Sequence, residues 1–313
     1  MRLIRYPQYI SLVGPTVVTI GNFDGVHMGH QALIKKVTAY ANKNNLQSVV
    51  ITMRPLASQY FGGINKTAIL SPFKCKYHLI KKLGVDVLCA LNFNKNLAEY
   101  TAEEFIDKIL IKGLKAQHII IGDDFKFGKN RAGNLQILKN QCEPLGVSVS
   151  AIATVANKSK RISSSQIRQS LSNNEFKVAE LNLGRKFSIF GKVSKGQQLG
   201  RKLNFPTINI RLGKRFVPIN GVFCVTVKFT ADFDDREYLG SASIGTRPTV
   251  DGVANILEVY ILDFNKQVYG RNVEVLFHHK LRNEVKFDSI NELKRHINDD
   301  VIKTRLYFEN NKH

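Results

Sequence analysis

The residues most capable of chemistry lie in one decapeptide, residues 21–30, which reads GNFDGVHMGH. Its three glycines permit tight turns, and His27 and His30 stand three positions apart. An apolar β-branched stretch precedes it and a helical pattern follows it, so free N–H groups and a positive helix-dipole end suit a bound phosphate. Both imidazoles can face that phosphate and stabilise the charge that develops when a nucleotide α-phosphate is attacked.

Two other polar segments of the first half could contact the same phosphates. Residues 161–168, RISSSQIR, hold a serine run that can cap a helix and two arginines that can donate to phosphate oxygens. Residues 122–128, GDDFKFG, follow a predicted strand at the carboxyl edge of a sheet, where α/β folds place ligands. Taken singly, these segments also fit a plain helix cap and an ordinary turn.

The second half contains a polar segment of another kind, residues 200–209, which reads GRKLNFPTIN. The Thr207 hydroxyl and the Asn209 amide oxygen are hard ligands that suit magnesium. Upstream, two glycines bracket the basic segment 191–196, which could lie over the phosphates of ATP. A surface loop with a β-turn is the simpler interpretation of this part of the sequence when it is taken alone.

A single carboxylate, Glu258, interrupts an apolar strand pattern over residues 256–262. Leu257, Val259 and Ile261 alternate on the opposite face of that strand. A carboxylate held there could accept the proton of a primary hydroxyl as that hydroxyl attacks the γ-phosphate of ATP. Without further context, an ordinary glutamate on an exposed strand face explains the pattern as well.

The hydrophobic pattern indicates which elements position these residues. In the first half, β-branched runs alternate with helical stretches, which predicts βαβ units and a mostly parallel sheet. In the second half, short alternating segments predict an antiparallel sheet or a small barrel. The predicted strands cover 16–20, 48–52, 85–91, 118–121, 147–152, 189–193, 222–229, 238–244, 256–262 and 272–277, and the predicted helices cover 30–43, 74–83, 102–114, 135–142, 166–171 and 290–306. We place the domain boundary at 183/184, and no internal repeat is present.

Composition limits the partners and the compartment. The 313 residues include 46 Lys and Arg against 25 Asp and Glu, a net charge of +21 that should attract phosphates, nucleic acid or anionic membrane surfaces. The four cysteines fit neither a zinc motif nor a disulfide framework. The N-terminus does not resemble a signal peptide, and no apolar run reaches the length of a membrane span, so we expect a cytoplasmic protein.

The first-half motifs resemble a known enzyme superfamily. Residues 21–30 and the serine cluster are similar to the two signatures of the H-x-G-H nucleotidyltransferases, which join a nucleotide monophosphate to a phosphorylated partner and release pyrophosphate. Together with residues 122–128, they resemble the adenylyltransferase half of prokaryotic bifunctional riboflavin kinase/FAD synthetases. In the second half, residues 200–209 resemble the riboflavin kinase signature ending in P-T-x-N, with Ile208 where alanine is usual. Further matches follow in order at 221–223, 244–249, 257–260, 269–270 and 281–287.

The resemblance covers roughly residues 14–304 and implies two domains. It implies a Rossmann-like nucleotidyltransferase α/β domain over 1–183, and an antiparallel β-barrel riboflavin kinase domain with a terminal helix over 184–313. The implied reactions are phosphorylation of riboflavin to FMN and adenylylation of FMN to FAD, both with ATP and Mg²⁺. The implied partners are therefore the small molecules ATP, riboflavin and FMN, with neither nucleic acid nor a membrane.

The resemblance also assigns site residues. Glu258 becomes the base of the kinase, and His27 and His30 act at the phosphates of the adenylyltransferase. The implied phosphate and ATP contacts of the adenylyltransferase are Gly21, Asn22, Phe23, Asp24, Gly25, Gly29, Asp124, Arg161, Ser164, Ser165 and Arg168. The implied ATP and flavin contacts of the kinase are Gly191, Lys195, Gly196, Gly200, Arg201, Pro206, Thr207, Asn209 and Arg282, with Thr207 and Asn209 as metal ligands.

Three departures from the family pattern keep alternatives open. Where the family commonly shows T-F-E-P-x-P, this chain has Arg54 at the acidic position and Ala57 at the second proline, and Ile69 replaces an arginine. One alternative is a riboflavin kinase whose first domain is impaired or redirected. A sister nucleotidyltransferase would lack the second-half motifs. A basic nucleic-acid-binding protein is a further alternative, but no nucleic-acid-binding motif appears and the basic clusters coincide with the phosphate loops.

Overall fold

The computed structural model describes residues 1–6, 14–62, 68–153, 156–157, 160–196, 200, 203–213, 216–229, 236–249 and 252–311. By its internal contacts the chain divides into two compact units. The first comprises Met1–Thr67 and Ser71–Ser164, and the second comprises Ala68–Leu70 and Ser165–His313. The boundary at 183/184, which concerns where each activity resides, stays a prediction. No helix in the described ranges is long and apolar enough to span a membrane.

The first unit contains a six-stranded sheet whose paired strands are all parallel, as predicted. Its strands are β1 (Arg2–Ile4), β2 (Thr16–Ile20), β3 (Gln47–Arg54), β4 (Val87–Asn92), β5 (Ala116–Gly122) and β6 (Ser148–Ile152). Their spatial order is β1-β4-β3-β2-β5-β6. The chain therefore leaves β2 on one side for β3 and returns on the other side with β5, which makes the gap between β2 and β5 a topological switch point.

Helices cover both faces of this sheet. They are α1 (Met28–Asn44), α2 (Ala57–Gly62), α3 (Phe73–Lys81), α4 (Lys95–Glu99), α5 (Ala102–Phe105), which continues as a π-helix over Ile106–Gly113, and α6 (Leu135–Cys142). On one face, strand residues such as Val50 pack with Ile34 of α1 and Ile80 of α3. On the other face, strand residues such as Ile51 belong to a cluster with residues of α5, the π-helix and α6. Strands buried on both faces explain the continuous apolar runs in the sequence. A short antiparallel pair, β7 (Ala156–Asn157) and β8 (Lys160–Arg161), follows β6.

The second unit is built on a closed antiparallel barrel, which confirms the predicted architecture. The barrel strands are β9 (Ser188–Ser194), β10 (Thr207–Gly213), β11 (Gly221–Phe229), β12 (Glu237–Thr249), β13 (Gly252–Ile261) and β14 (Asn272–Arg282), in the order β10-β13-β12-β11-β14-β9. The sequence prediction lacked β10, the strand that pairs with both β9 and β13 and closes the barrel. The helices are α7 (Ser164–Ser172), α8 (Phe176–Leu183) and the terminal α9 (Ile290–Asn310).

A bidentate ion pair ties α9 to the barrel. The Arg282 guanidinium at the end of β14 donates from Nε to Oδ1 of Asp300 at 3.0 Å and from Nη2 to Oδ2 at 2.8 Å. The two side chains are 20% and 6% exposed, so the pair is largely shielded from water. Removing one partner of a buried pair leaves an uncompensated charge.

We therefore expect Asp300→Ala to lower the free energy of unfolding by about 3 kcal/mol. Urea denaturation followed by circular dichroism measures this change. Asp299→Ala is the matched control, because Asp299 is the exposed neighbour on the same helix and should cost only a few tenths of a kcal/mol, roughly the size of an ordinary surface substitution. Equal losses in the two variants would show that the ion pair contributes nothing specific.

Candidate active sites

The first unit has a cavity of about 780 Å³ at the carboxyl edge of its sheet. The loop after β2 and the loop after β5 both line it, as the switch point between these strands requires. Arg161, Ser163 and Ser164 also line it. Of the residues predicted for this site, those lining the cavity are Gly21, Asn22, Phe23, His27, Gly29, His30, Asp124, Arg161 and Ser164.

The two histidines form a stacked pair at the start of α1. His27 caps the helix, since its Nδ1 accepts a hydrogen bond from the His30 backbone N–H at 3.3 Å. A neutral His27 therefore carries its proton on Nε2, which can donate to an oxygen of a ligand. The ring centroids are 3.5 Å apart with an interplanar angle of 19°, so two positive charges on the pair would repel strongly.

His30 is the ring held uncharged. Burial, His27 and Lys76 together lower the pKa of His30 well below its ordinary value, so the imidazole is neutral near neutral pH. Its Nδ1 is covered and has no hydrogen-bond partner within the described part of the chain. A buried acceptor or donor without a partner is uncommon in folded proteins and fits a site that a ligand completes.

Asp24 and Gly25, which were predicted to contact phosphate, do not line the cavity and bond to Ser71 or Ser164 instead. The buried Asp24 carboxylate accepts a hydrogen bond from the Ser71 backbone N–H at 3.0 Å, and the Gly25 N–H donates to the Ser71 hydroxyl at 2.8 Å. The Ser164 hydroxyl donates to the Asp24 carbonyl oxygen at 2.9 Å. Asp24 and Gly25 therefore fix the loop through Ser71 and Ser164 and do not line the cavity.

The arginines of the second motif have different surroundings. The Arg161 guanidinium donates to the Asp124 carboxylate, and this half-exposed ion pair lies at the cavity. Arg168, one turn into α7, donates from Nε to the Ala68 carbonyl oxygen, and neither it nor Ser165 lines the cavity. The structure thus gathers the first part of this motif, and not the second, at the cavity.

The cavity wall also has an aromatic and basic part whose residues the site prediction did not name, although residues 122–128 were predicted to lie at this site. Its members are Phe61, Phe93, Phe125, Lys126, Phe127, Asn130 and Arg131. Phe125 and Phe127 stack with centroids 5.6 Å apart and an interplanar angle of 9°. Aromatic faces of this kind accept planar ring systems, so this part of the cavity suits a flat heterocycle. The repeated phenylalanines of residues 122–128 carried this signal.

The three departures from the family pattern do not all reach this cavity. Ala57 lines it, and its small side chain leaves space there. Arg54 is not a lining residue, and its guanidinium lies 4.8 Å from the centroid of the Phe73 ring. The Ile69 backbone N–H donates to the Phe216 carbonyl oxygen at 3.0 Å in the second unit.

The second unit has its own cavity, of about 240 Å³, beside the barrel. Strand pairing brings its polar side chains together, because Asn209 of β10 and Ser243 of β12 are both register partners of Glu258 on β13. Partners in register share one face of a sheet, and Thr207 shares that face as well. The intervening Leu257, Val259 and Ile261 are buried, as the predicted alternation requires. Of the predicted residues, those lining this cavity are Gly200, Thr207, Asn209, Glu258 and Arg282.

Oxygen atoms dominate the polar part of this second cavity. The Thr207 hydroxyl and the Asn209 amide lie on the same face as the Glu258 carboxylate, and their two neutral oxygens fit magnesium. Within the described ranges, no group of three or more His, Cys, Asp or Glu could hold a metal ion. A magnesium ion here would therefore depend on neutral oxygens and on the phosphates of a bound nucleotide.

The other predicted residues do not line this second cavity, or lie outside the residues that the structure describes. Gly196 abuts the Asn209 side chain, since a Cβ atom there would lie 2.5 Å from the amide. Gly191, Lys195 and Pro206 are not lining residues. Arg201 lies outside the described residues. The lining residues that the site prediction missed are Leu203, Phe205, Val222, Ser241, Ser243, Tyr260, Glu284, Val285, Phe287, Leu293, Ile297 and Asp300.

Comparisons with known proteins match the two parts of the chain that hold these cavities to two different family models. A family model described as FAD synthetase matches residues 11–166, and one described as riboflavin kinase matches residues 183–308. Relatives named bifunctional riboflavin kinase/FMN adenylyltransferase include one from Pseudomonas fluorescens, 42% identical over 92% of each chain, and one from Haemophilus influenzae, 39% identical over 93% of this chain and 94% of the relative. The relative from Escherichia coli K12 is 37% identical over 98% of each chain. A solved structure titled a macrolide-efflux protein from Streptococcus pneumoniae has a TM-score of 0.79 and 30% identity, covering 97% of this chain and 98% of that one.

Proposed function

The chain belongs to the family of bacterial bifunctional riboflavin kinases/FMN adenylyltransferases, and we propose that it makes FMN at the barrel cavity and FAD at the sheet cavity. One observation carries this proposal: each of the two matched family models covers one cavity, and the motif residues of each half line that cavity. The functional domains we propose are residues 1–183 for adenylyl transfer and 184–313 for phosphorylation.

In the kinase reaction, Glu258 acts as the general base. Its carboxylate accepts the proton of the riboflavin 5′-hydroxyl while that oxygen bonds to the γ-phosphorus of ATP. The bond from the γ-phosphorus to the bridging oxygen breaks, and ADP leaves. The position of Glu258 between Asn209 and Ser243, on the face opposite the apolar side of its strand, supports this role.

Thr207 and Asn209 would hold the magnesium ion of this reaction. The ion, when bound, neutralises charge on the ATP phosphates. Gly196 matters to the same group because its missing side chain leaves room for the Asn209 amide. Arg282 would place a positive charge at the cavity. Its ion pair with Asp300 on α9 fixes the position of that charge.

In the adenylyl transfer, a phosphate oxygen of FMN bonds to the α-phosphorus of ATP, and the bond from that phosphorus to pyrophosphate breaks. His27 donates from Nε2 to the α-phosphate oxygens, whose charge grows in the transition state. His30 stacks on His27 and keeps its ring in place. The phenylalanines of the cavity wall would accept the flat rings of flavin or adenine.

Activity in the first domain is the part that the sequence departures called into question. Two of the three departing residues, Arg54 and Ile69, do not line the cavity, and the third, Ala57, occupies less space than proline. The histidine pair and the Arg161–Asp124 ion pair are in place. These observations support FAD synthesis over a redirected first domain.

A time course of products tests the proposed function. The purified protein is incubated with riboflavin, ATP and Mg²⁺, and riboflavin, FMN and FAD are separated by chromatography with fluorescence detection. FMN should appear first and FAD should follow it. FMN alone would restrict the proposal to the kinase, and a failure to form either product would refute it. Leaving out Mg²⁺ should stop FMN formation.

A further inference from the structure

A lysine that the proposed reaction does not use is buried beneath the loop that carries both histidines. Lys76 lies on α3 and is only 3% exposed. Lysines are rarely buried to this extent unless the ammonium group has partners, because desolvating a charge is costly. The contacts of this ammonium group therefore indicate what its burial achieves.

The Lys76 ammonium group bonds to the glycine-rich loop that carries both histidines. Its Nζ donates to the Asn22 carbonyl oxygen at 2.6 Å and lies 3.4 Å from the Thr52 hydroxyl oxygen. The Thr52 hydroxyl donates to the same Asn22 carbonyl at 3.1 Å. One carbonyl of the glycine-rich loop is therefore fixed by two donors, from α3 and from β3. Asn22 itself lines the first cavity.

The charge of Lys76 also acts on the histidine pair. It is one of the causes that lower the pKa of His30, together with burial and His27. Burial lowers the pKa of Lys76 itself to about 8, while the nearby Asp24 carboxylate acts in the opposite direction. Lys76 is therefore mostly charged near neutral pH.

Among the described residues, four charged side chains besides the histidines line the cavity: Asp124, Lys126, Arg131 and Arg161. Arg161 and Asp124, on β8 and on the loop after β5, pair with each other. Arg54 on β3 lies over the Phe73 ring. Lys76 differs from these groups because it acts on His30 and is hydrogen-bonded to the loop that carries the histidines.

We propose that Lys76 is a positioning residue for adenylyl transfer, which fixes the histidine-bearing loop by donating, together with Thr52, to the Asn22 carbonyl oxygen. This inference rests on the proposed function of the first cavity. Because Lys76 also lowers the pKa of His30, a second positive charge beside His27 is disfavoured. His30 stays uncharged and stacked on the His27 ring.

The test combines three substitutions in the full-length protein. Lys76→Met removes both the charge and the hydrogen bond, Lys76→Gln removes the charge but keeps a donor for Asn22, and Lys76→Arg keeps the charge. The His30 titration is followed by NMR of the imidazole Cε1–H, assigned with a His30→Gln spectrum. FAD formation from FMN is measured from about pH 4 to about pH 9, which extends below the ordinary titration range of histidine because the pKa of His30 is lowered. FMN formation from riboflavin in the same chain is the internal control.

The expected results separate positioning from simple structural support. In Lys76→Met and Lys76→Gln the His30 titration should move to higher pH, as expected when a neighbouring positive charge is removed. FAD formation should fall about tenfold in Lys76→Met near neutral pH, and its acid limb should follow the His30 shift. Lys76→Arg should restore most of both properties, and FMN formation should stay unchanged in all three variants.

Several outcomes would overturn the inference. A His30 titration that stays unchanged in Lys76→Gln, with FAD formation reduced equally at every pH, would leave Lys76 with a structural role only. If Lys76→Met does not fold, Lys76→Gln and Lys76→Arg still decide the question. If the unmodified protein forms no FAD from FMN, the proposed function of the first cavity fails, while the NMR titration still reports separately on the coupling between Lys76 and His30.

Discussion

Glu258→Gln should abolish FMN formation from riboflavin and leave FAD formation from supplied FMN unchanged. The substitution keeps the shape of the side chain and its place between Asn209 and Ser243, but removes the carboxylate that accepts the hydroxyl proton. General bases contribute about 100-fold to 10,000-fold in rate, so the kinase turnover should fall by at least about 100-fold. Initial rates of each half-reaction, measured separately by chromatography, give the result.

Glu274→Gln is the matched control for this substitution. Glu274 is on β14 of the same barrel but does not line the cavity. Its replacement should change the kinase rate less than about twofold, in line with the small effects of substitutions away from a site. A Glu258→Gln enzyme that phosphorylates riboflavin at the normal rate would show that Glu258 is not the base.

His27→Ala should produce the opposite separation of activities. It removes the Nε2 donor that we propose bonds to the α-phosphate, and losing one such donor typically costs about 100-fold to 1,000-fold in rate. FAD formation from FMN should fall by that factor, while FMN formation from riboflavin stays at its normal rate. The substitution also removes the helix cap, because His27 Nδ1 accepts the His30 N–H at 3.3 Å.

His27→Asn distinguishes the loss of the cap from the loss of the donor. Asparagine is among the best N-cap residues, so it should restore the stability of α1. It should not restore FAD formation, because its shorter side chain cannot place a donor where the imidazole Nε2 lies. Recovery of activity in His27→Asn would mean that the cap, and not the phosphate contact, is what the reaction needs.

Much of the fold could be predicted because the strands carry strong local signals. Residues 16–20 form a strand with the predicted bounds, since a fully buried parallel strand leaves a continuous β-branched run. The barrel strand β10 was missed because Gly200 and Pro206 precede it and Arg211 interrupts its apolar pattern. The short elements β1 and α4 are three and five residues long and carry too little pattern to detect.

The same limit applies to the sites. His27 and His30 are three residues apart, so local spacing was enough to bring them together. Asn209 and Glu258 meet only through the register of β10 and β13, which no local pattern specifies. The anchoring role of Asp24 depends on Ser71, far along the chain, and so could not be separated by sequence from a phosphate contact. The functional roles assigned to all these residues stay predictions.

The most direct test of the central claim follows the phosphorus atoms. The protein is supplied with riboflavin and Mg²⁺, and with ATP labelled in one experiment at the γ-phosphate and in another at the α-phosphate. If both sites act in sequence as proposed, each FAD molecule will contain one phosphorus from each position, and FMN will contain only the γ-phosphorus. FMN that gains the γ-label without any transfer of the α-label to a flavin would contradict the account of the first cavity.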